Sequence, residues 1–104
     1  MVLTPYERGR SREYRAIRML REDGWLCLRS AVSHGPVDIV AAKGGRVVLI
    51  QVKSGKGRVR RREVDDLRSW ARAFRAQAEV WLFKKGGGVI KRRVYPPTRS
   101  ARAR

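Results

Sequence analysis

The sequence predicts one α/β domain, a mixed β-sheet flanked by helices in the order α-β-β-β-α-β-β. Three observations predict it. The chain has 104 residues, enough for a single domain with one modest core. Two stretches, 6–23 and 63–77, repeat apolar residues at helical spacing. Short β-rich runs fill the remainder, and two pairs of them are joined by glycine turns. A helix, three strands, a second helix and a final strand pair suggest helices packed on the faces of one sheet.

The elements follow in order. Over 6–23, Gly9, Glu13, Ala16, Ile17 and Leu20 share one face, and Gly24 makes a helix stop. Trp25 to Leu28 reads as a strand that buries Cys27, and Ser33 to Pro36 as a turn. Val37–Ala42 and Arg46–Ser54 flank Lys43-Gly44-Gly45 as a hairpin. Residues 55–62, GKGRVRRR, form a basic loop. Glu63 to Gln77 reads as the second helix, with Val64, Leu67, Ala71 and Phe74 on one face. Trp70 and Phe74 share a side at i,i+4 and read as core or as a dimer face. Glu79–Lys84 and Val89–Tyr95 form a closing hairpin in which Trp81 and Phe83 alternate as buried residues do. Residues 1–95 thus make the domain, and 96–104 a basic tail expected to be disordered.

Charge narrows the partner. Lys and Arg total 26 against 9 acids, a formal net charge of +17. Such self-repulsion calls for a polyanion, and nucleic acid fits best. The predominance of Arg suits bidentate contacts to phosphate. No apolar run is long enough to span a membrane, and no signal-peptide pattern opens the chain. A single cysteine, Cys27, leaves no disulfide framework and no paired-cysteine zinc site. The default location is the cytoplasm.

The central hairpin carries the chemistry. With Gly44-Gly45 as a two-residue turn, Lys43 pairs with Arg46, and counting back sets Asp38 opposite Gln51. Opposed residues share a sheet face, and Lys53 joins that face two residues on. Val47 and Leu49 precede them there, while Val48, Ile50 and Val52 take the other face. A strand apolar on both sides has no cheap reason to turn Gln and Lys inward. Glu13, on the inward face of the first helix, needs a partner too, either a metal shared with Asp38 or an arginine. Acid, amide and lysine together suit phosphodiester hydrolysis. Oxygen ligands hold Mg²⁺ with open positions, the ion activates water, and lysine stabilises developing charge.

These residues resemble the PD-(D/E)xK, restriction-endonuclease-like nuclease superfamily, through GPVD at 35–38 and IQVKSG at 50–55. Within it the chain is similar to the archaeal-type Holliday junction resolvases. Gly9 and Glu13 stand at the spacing of that family's opening helix, followed by RSAVSHGPVDIVA at 29–41. The similarity spans roughly residues 6 to 95. It implies the superfamily fold and a homodimer that uses Mg²⁺, with Mn²⁺ as a substitute, to make paired symmetric nicks in four-way DNA junctions. It carries metal-ligand roles onto Glu13 and Asp38, extended to Gln51, and the catalytic lysine role onto Lys53. Ser33 or Ser30, with Arg29, matches the family's polar segment. DNA contacts are expected from Arg10, Arg29, Ser30, His34, Lys56, Arg58, Arg60, Arg61 and Arg62. No membrane and no small-molecule cofactor are expected, and the cell is prokaryotic or a virus-infected prokaryotic host.

Gln51 departs from the family's usual Glu. An amide oxygen can bind a metal but brings no charge. Two alternatives therefore stand beside the resolvase reading: a non-catalytic DNA-binding module that kept the fold, and a repair or restriction-like nuclease acting on other DNA.

Overall fold

The computed structural model describes residues 5–31, 35–55 and 59–96, with side chains described from residue 10 onward. The order is α1 (Pro5–Glu22), β1 (Leu26–Arg29), β2 (Ile39–Lys43), β3 (Arg46–Ser54), α2 (Arg61–Phe74), β4 (Gln77–Phe83) and β5 (Val89–Tyr95). This is the expected α-β-β-β-α-β-β succession. The five strands lie in sequence order in one mixed sheet, with β3 and β4 parallel and the other pairs antiparallel. A parallel pair needs a crossover, and α2 supplies it.

Register follows from the turns. Gly44 and Gly45 take φ of 58° and 81°, a pair of left-handed residues that a two-residue hairpin turn requires and glycine adopts freely. Lys43 therefore faces Arg46, and the ladder runs back to Ile39 against Ile50. The ladder ends there: Asp38 precedes β2 and its N–H donates to Ile50 C=O, so the Asp38–Gln51 pairing counted from the turn is not part of it.

The alternation of β3 divides the core. Val48 and Ile50 pack with Ile39, Ala41, Trp81, Phe83 and the α1 residues Ala16, Ile17 and Leu20. Leu49 packs with Ala78, Val80, Val94 and the α2 residues Val64, Leu67 and Ala71. Each helix thus covers one face, and β3 is buried on both sides along its middle. Burial of this kind contributes on the order of 25 cal/mol per Å² of apolar surface, so these two layers dominate stability.

Six expectations are corrected. α1 runs Pro5–Glu22 rather than 6–23, and β2 runs Ile39–Lys43 rather than Val37–Ala42, which leaves Asp38 just ahead of the strand. β1 begins at Leu26 rather than Trp25, and its Cys27 is only half-buried. The second helix starts two residues before Glu63 and ends at Phe74, not Gln77. β4 begins two residues before Glu79 and stops at Phe83. Phe74 is 48% exposed and Trp70 49%, so neither belongs to the core; α2 lies over β3, β4 and β5, and its outer flank projects past them. Of the tail, residues 97–104 lie outside the described residues.

Both helices end in the same closure. Trp25 N–H reaches Leu20 C=O at 3.0 Å after α1, and Ala76 N–H reaches Ala71 C=O at 2.8 Å after α2, each with a shorter inner bond. The residue turning the chain after α2 is Arg75 at φ 55°, where a side chain is costly. Arg75→Gly should raise stability by about 0.5–1 kcal/mol, the relief being partly offset by the freedom glycine adds to the unfolded chain. Thermal and urea unfolding measure it, and no gain would mean the turn is unstrained.

Candidate nuclease site at the end of β2 and β3

Three polar residues meet where the sheet opens beyond the first pair of β2. Gln51 is 6% exposed, on the face that α2 covers. Its Oε1 is buried and has no hydrogen-bond partner among the described residues. An orphaned acceptor of this kind costs roughly 1–3 kcal/mol unless something satisfies it. Asp38 sits beside it, its backbone N–H bonded to Ile50 C=O at 2.9 Å. The Asp38 carboxylate accepts from Val52 N–H at 2.7 Å through Oδ2, which fixes its direction. Lys53 follows on the Gln51 face, its Nζ 3.1 Å from Glu63 Oε2 of α2.

Asp38 is pushed up from an ordinary value of 3.8 to about 6. Burial is the main cause, and the Glu13 charge adds to it; the Val52 amide, Lys53 and Arg29 oppose it. A carboxyl that resists ionisation is one that a cation would stabilise.

Glu13 stands on α1, the helix on the other face of the sheet. Of the two partners weighed for it, the one present is Arg29, at 3.0 Å. Glu13 still contributes to the field at Asp38, so the two carboxylates are neighbours. Arg29 also stacks over Tyr14 at 5.2 Å, and Arg10 covers the same ring at 5.7 Å and donates to its hydroxyl. The Arg10 hydrogen bond and the Arg29 charge hold that phenol below its usual value. Ser30 N–H donates to Asp38 C=O at 2.8 Å, which ties the end of β1 to the site. Arg60 caps α2, and Arg61 and Arg62 are exposed on its first turn. Ser33, His34, Lys56 and Arg58 lie outside the described residues.

Glu63 is the site residue that sequence reasoning missed. Its Oε1 accepts from Arg60 N–H at 3.1 Å, the reach-back of a capping box, while Oε2 holds Lys53. Burial raises its pKa, but the Arg60 amide and Lys53 outweigh that and leave it lowered. The signal was an acid three positions after a basic loop residue, just ahead of apolar Val64.

The donor set fits a divalent cation. Mg²⁺ is held by one or two carboxylates and otherwise by water and substrate phosphate. The Asp38 carboxylate and the orphaned Gln51 Oε1 are oxygens of the kind such an ion takes, and the Glu13 charge is felt at Asp38. Among the described residues no three acidic or imidazole groups cluster, so the site carries little negative charge of its own.

Asp38 also makes a pH prediction. The folded protein holds this proton more tightly than the unfolded chain, so the group penalises the metal-free fold above about pH 6, and the penalty fades as pH falls toward 3.8. Its full size is at most about 3 kcal/mol, from the same interval. Metal-free Asp38→Asn should therefore melt higher than the parent at pH 8, with the advantage lost near pH 4. Added Mg²⁺ should raise the melting temperature of the parent and not of the variant. Equal melting at every pH would refute the assignment.

The whole arrangement matches known proteins. A family model for the archaeal Holliday junction resolvase (Hjc) matches residues 4–103. A solved structure of Hjc from Archaeoglobus fulgidus, described as a Holliday junction resolvase from an archaeal hyperthermophile, superposes with a TM-score of 0.74 at 30% identity. The likeness covers 84% of this chain and 73% of that one. With the family matched over almost every residue and the fold matched in three dimensions, the chain belongs to the archaeal Holliday junction resolvases, endonucleases that hydrolyse phosphodiester bonds.

Proposed function

We propose that residues 1–95 form a Mg²⁺-dependent nuclease domain that works as a homodimer, making paired symmetric nicks in four-way DNA junctions. The observation that carries the reading is the buried Gln51 Oε1, without a partner among the described residues, on the stretch of β3 where Asp38 bonds Ile50 C=O and Val52 N–H. Asp38, Gln51 and, once freed from Arg29, Glu13 would hold the ion; Mn²⁺ has the same preference for oxygen and can replace it. When bound, the ion lowers the pKa of a water and offsets phosphoryl charge. Asp38 is kept in one orientation by Val52 N–H. Lys53 offers an ammonium to the phosphate oxygens as charge grows there, and Glu63 limits where that ammonium can swing. Arg10, Arg29, Ser30, His34 and the 56–62 segment would contact the DNA around the site, with Ser33 or Ser30 toward the scissile phosphate. A cytoplasmic place in a prokaryotic cell, or in the host of a virus, belongs to the same reading.

Dimerisation has a physical candidate surface. α2 leaves the β1–β2 half of its face bare. Leu26 and Leu28 project there, 78% and 73% exposed, opposite Ala42 and Val40. Trp70 and Phe74 edge an apolar depression of about 230 Å³ with Val37, Val40 and Leu49. A contiguous apolar patch on a chain of charge +17 marks a contact surface, and nucleic acid does not suit it. A second copy does, because a junction with two symmetric strands needs two sites related by a two-fold axis.

Gln51 supports a second reading, binding without cleavage, and one assay separates the two. A labelled four-way junction with Mg²⁺ should be nicked symmetrically, and duplex, flap and mismatch DNA should be cut far less. Asp38→Asn and Lys53→Ala should lower the rate by at least about 100-fold, the scale of lost electrostatic groups, with binding retained. Gln51→Glu should lower the Mg²⁺ concentration needed for half-maximal cutting. Saturated binding with no nicking would establish the module reading instead.

For assembly, Trp70→Ala/Phe74→Ala should convert a dimer to a folded monomer by light scattering, with the far-ultraviolet spectrum unchanged. The monomer should lose paired cutting. A parent that is already monomeric at micromolar concentration would overturn the dimer.

A further inference from the structure

A second charged feature lies just past Lys53. β3 and β4 end side by side, Ser54 opposite Phe83, and Gly55 N–H donates to Phe83 C=O at 2.7 Å. The two backbones touch: a Cβ on Gly55 would lie 3.1 Å from Lys84 Cα and 3.2 Å from Phe83 O. Above this floor opens a cleft of about 1130 Å³, bounded on one side by Arg12 and Arg15 of α1 and on the other by Lys84 and Lys85 of the β4–β5 turn. Among the described residues four cations line it, and no carboxylate does. None of the four was expected from the sequence to contact DNA.

The cleft is built. Arg15 stacks on Phe83 at 5.1 Å and donates to Gly87 C=O, so its guanidinium is held before any ligand arrives. Arg12 Nε is buried and has no hydrogen-bond partner among the described residues. A buried donor without an acceptor there suits one from outside. The opening is wide, beyond the usual volume of a small-molecule pocket. Width, length and unopposed positive charge suit a chain of phosphates better than a single anion. Arg12 precedes Glu13 and Ser54 follows Lys53, so the cleft lies at the same end of β3 as the candidate site.

We propose that this cleft seats the sugar–phosphate backbone of the DNA strand where it adjoins the cleavage site. The identity of the polyanion as DNA rests on the nuclease reading; the anion site itself does not. Gripping and cutting then belong to different residues: Arg12, Arg15, Lys84 and Lys85 hold the strand, and Asp38, Gln51 and Lys53 act on it.

The test measures binding of the full chain to a fluorescent four-way junction in EDTA, over a series of KCl concentrations. Each phosphate contact contributes about 0.9 to the slope of log affinity against log salt. Arg12→Gln/Lys84→Gln/Lys85→Gln should reduce that slope by about 2 to 3 and the affinity at low salt by more than about tenfold. Lys84→Gln/Lys85→Gln, confined to an exposed turn, should reduce the slope by about 1 to 2 without touching α1. Arg18→Gln/Arg21→Gln/Arg92→Gln removes equal charge elsewhere and should change the slope less. An unchanged slope in the cleft variants, or an equal fall in the control, would overturn the proposal. Because this assay needs no metal, a parent that binds here but never cuts in the separate Mg²⁺ assay defeats the nuclease reading and leaves this one standing. A parent that cuts, with cleft variants of normal slope, does the reverse.

Discussion

The Gly44–Gly45 turn decides where everything else in the site stands. Its two left-handed residues fix β2 against β3, and Asp38, just before β2, then bonds Ile50 and Val52 on either side of Gln51, with Lys53 on the Gln51 face. A slip of one residue would turn Gln51 and Lys53 into the α1 layer among Ala16, Ile17 and Leu20, where neither could be satisfied. The two apolar layers oppose that slip, because it would also expose one set of core residues on each side. Site geometry and core packing are therefore enforced by the same constraint.

Electrostatics then keeps the metal-free site quiet. Lys53 is paired with Glu63 and Glu13 with Arg29. Each of these charged candidates is held by a neighbour until a ligand competes. The pairs are part-exposed, so each contributes little to stability, and exchanging them for phosphate or a cation costs correspondingly little. Glu63 serves twice, because its other oxygen secures the start of α2. Helix position and lysine position are coupled through a single carboxylate. The remaining positive charge lies outside these pairs, along the approaches a polyanion would use.

Local rules made the hairpin legible. Turn length, strand alternation and the shift from apolar to polar along β3 sufficed to set the β2–β3 register and to put Gln51 and Lys53 on one face, and the bounds of β3 and β5 follow the sequence pattern. What could not be read depends on contacts between distant segments. Glu63 pairs with Lys53 only because the crossover returns α2 over β3. The cleft needs α1 and the β4–β5 turn to meet, 72 residues apart between Arg15 and Gly87. Phe74 carries the helical period of a core residue, yet the sheet beneath it ends in bare strands rather than a covering layer. Periodicity records which side of a helix is apolar; it does not record whether that side is covered within one chain.

Gln51 is best understood through what a glutamate would cost there. Asp38 bonds the backbone on both sides of Gln51, donating to Ile50 C=O and accepting from Val52 N–H. Asp38 already has its pKa raised to about 6 by burial and the nearby Glu13 charge. A third acid, 6% exposed, would push it higher and make the metal-free fold depend on a cation. The amide supplies an oxygen of nearly the same shape without that repulsion. The exchange is stability in the empty state against attraction for the ion. On the proposed reading a chain of net charge +17 could tolerate the weaker attraction, since bound DNA would bring phosphate oxygens and the negative charge the site lacks. On this account, metal affinity belongs to the complex with DNA more than to the protein alone.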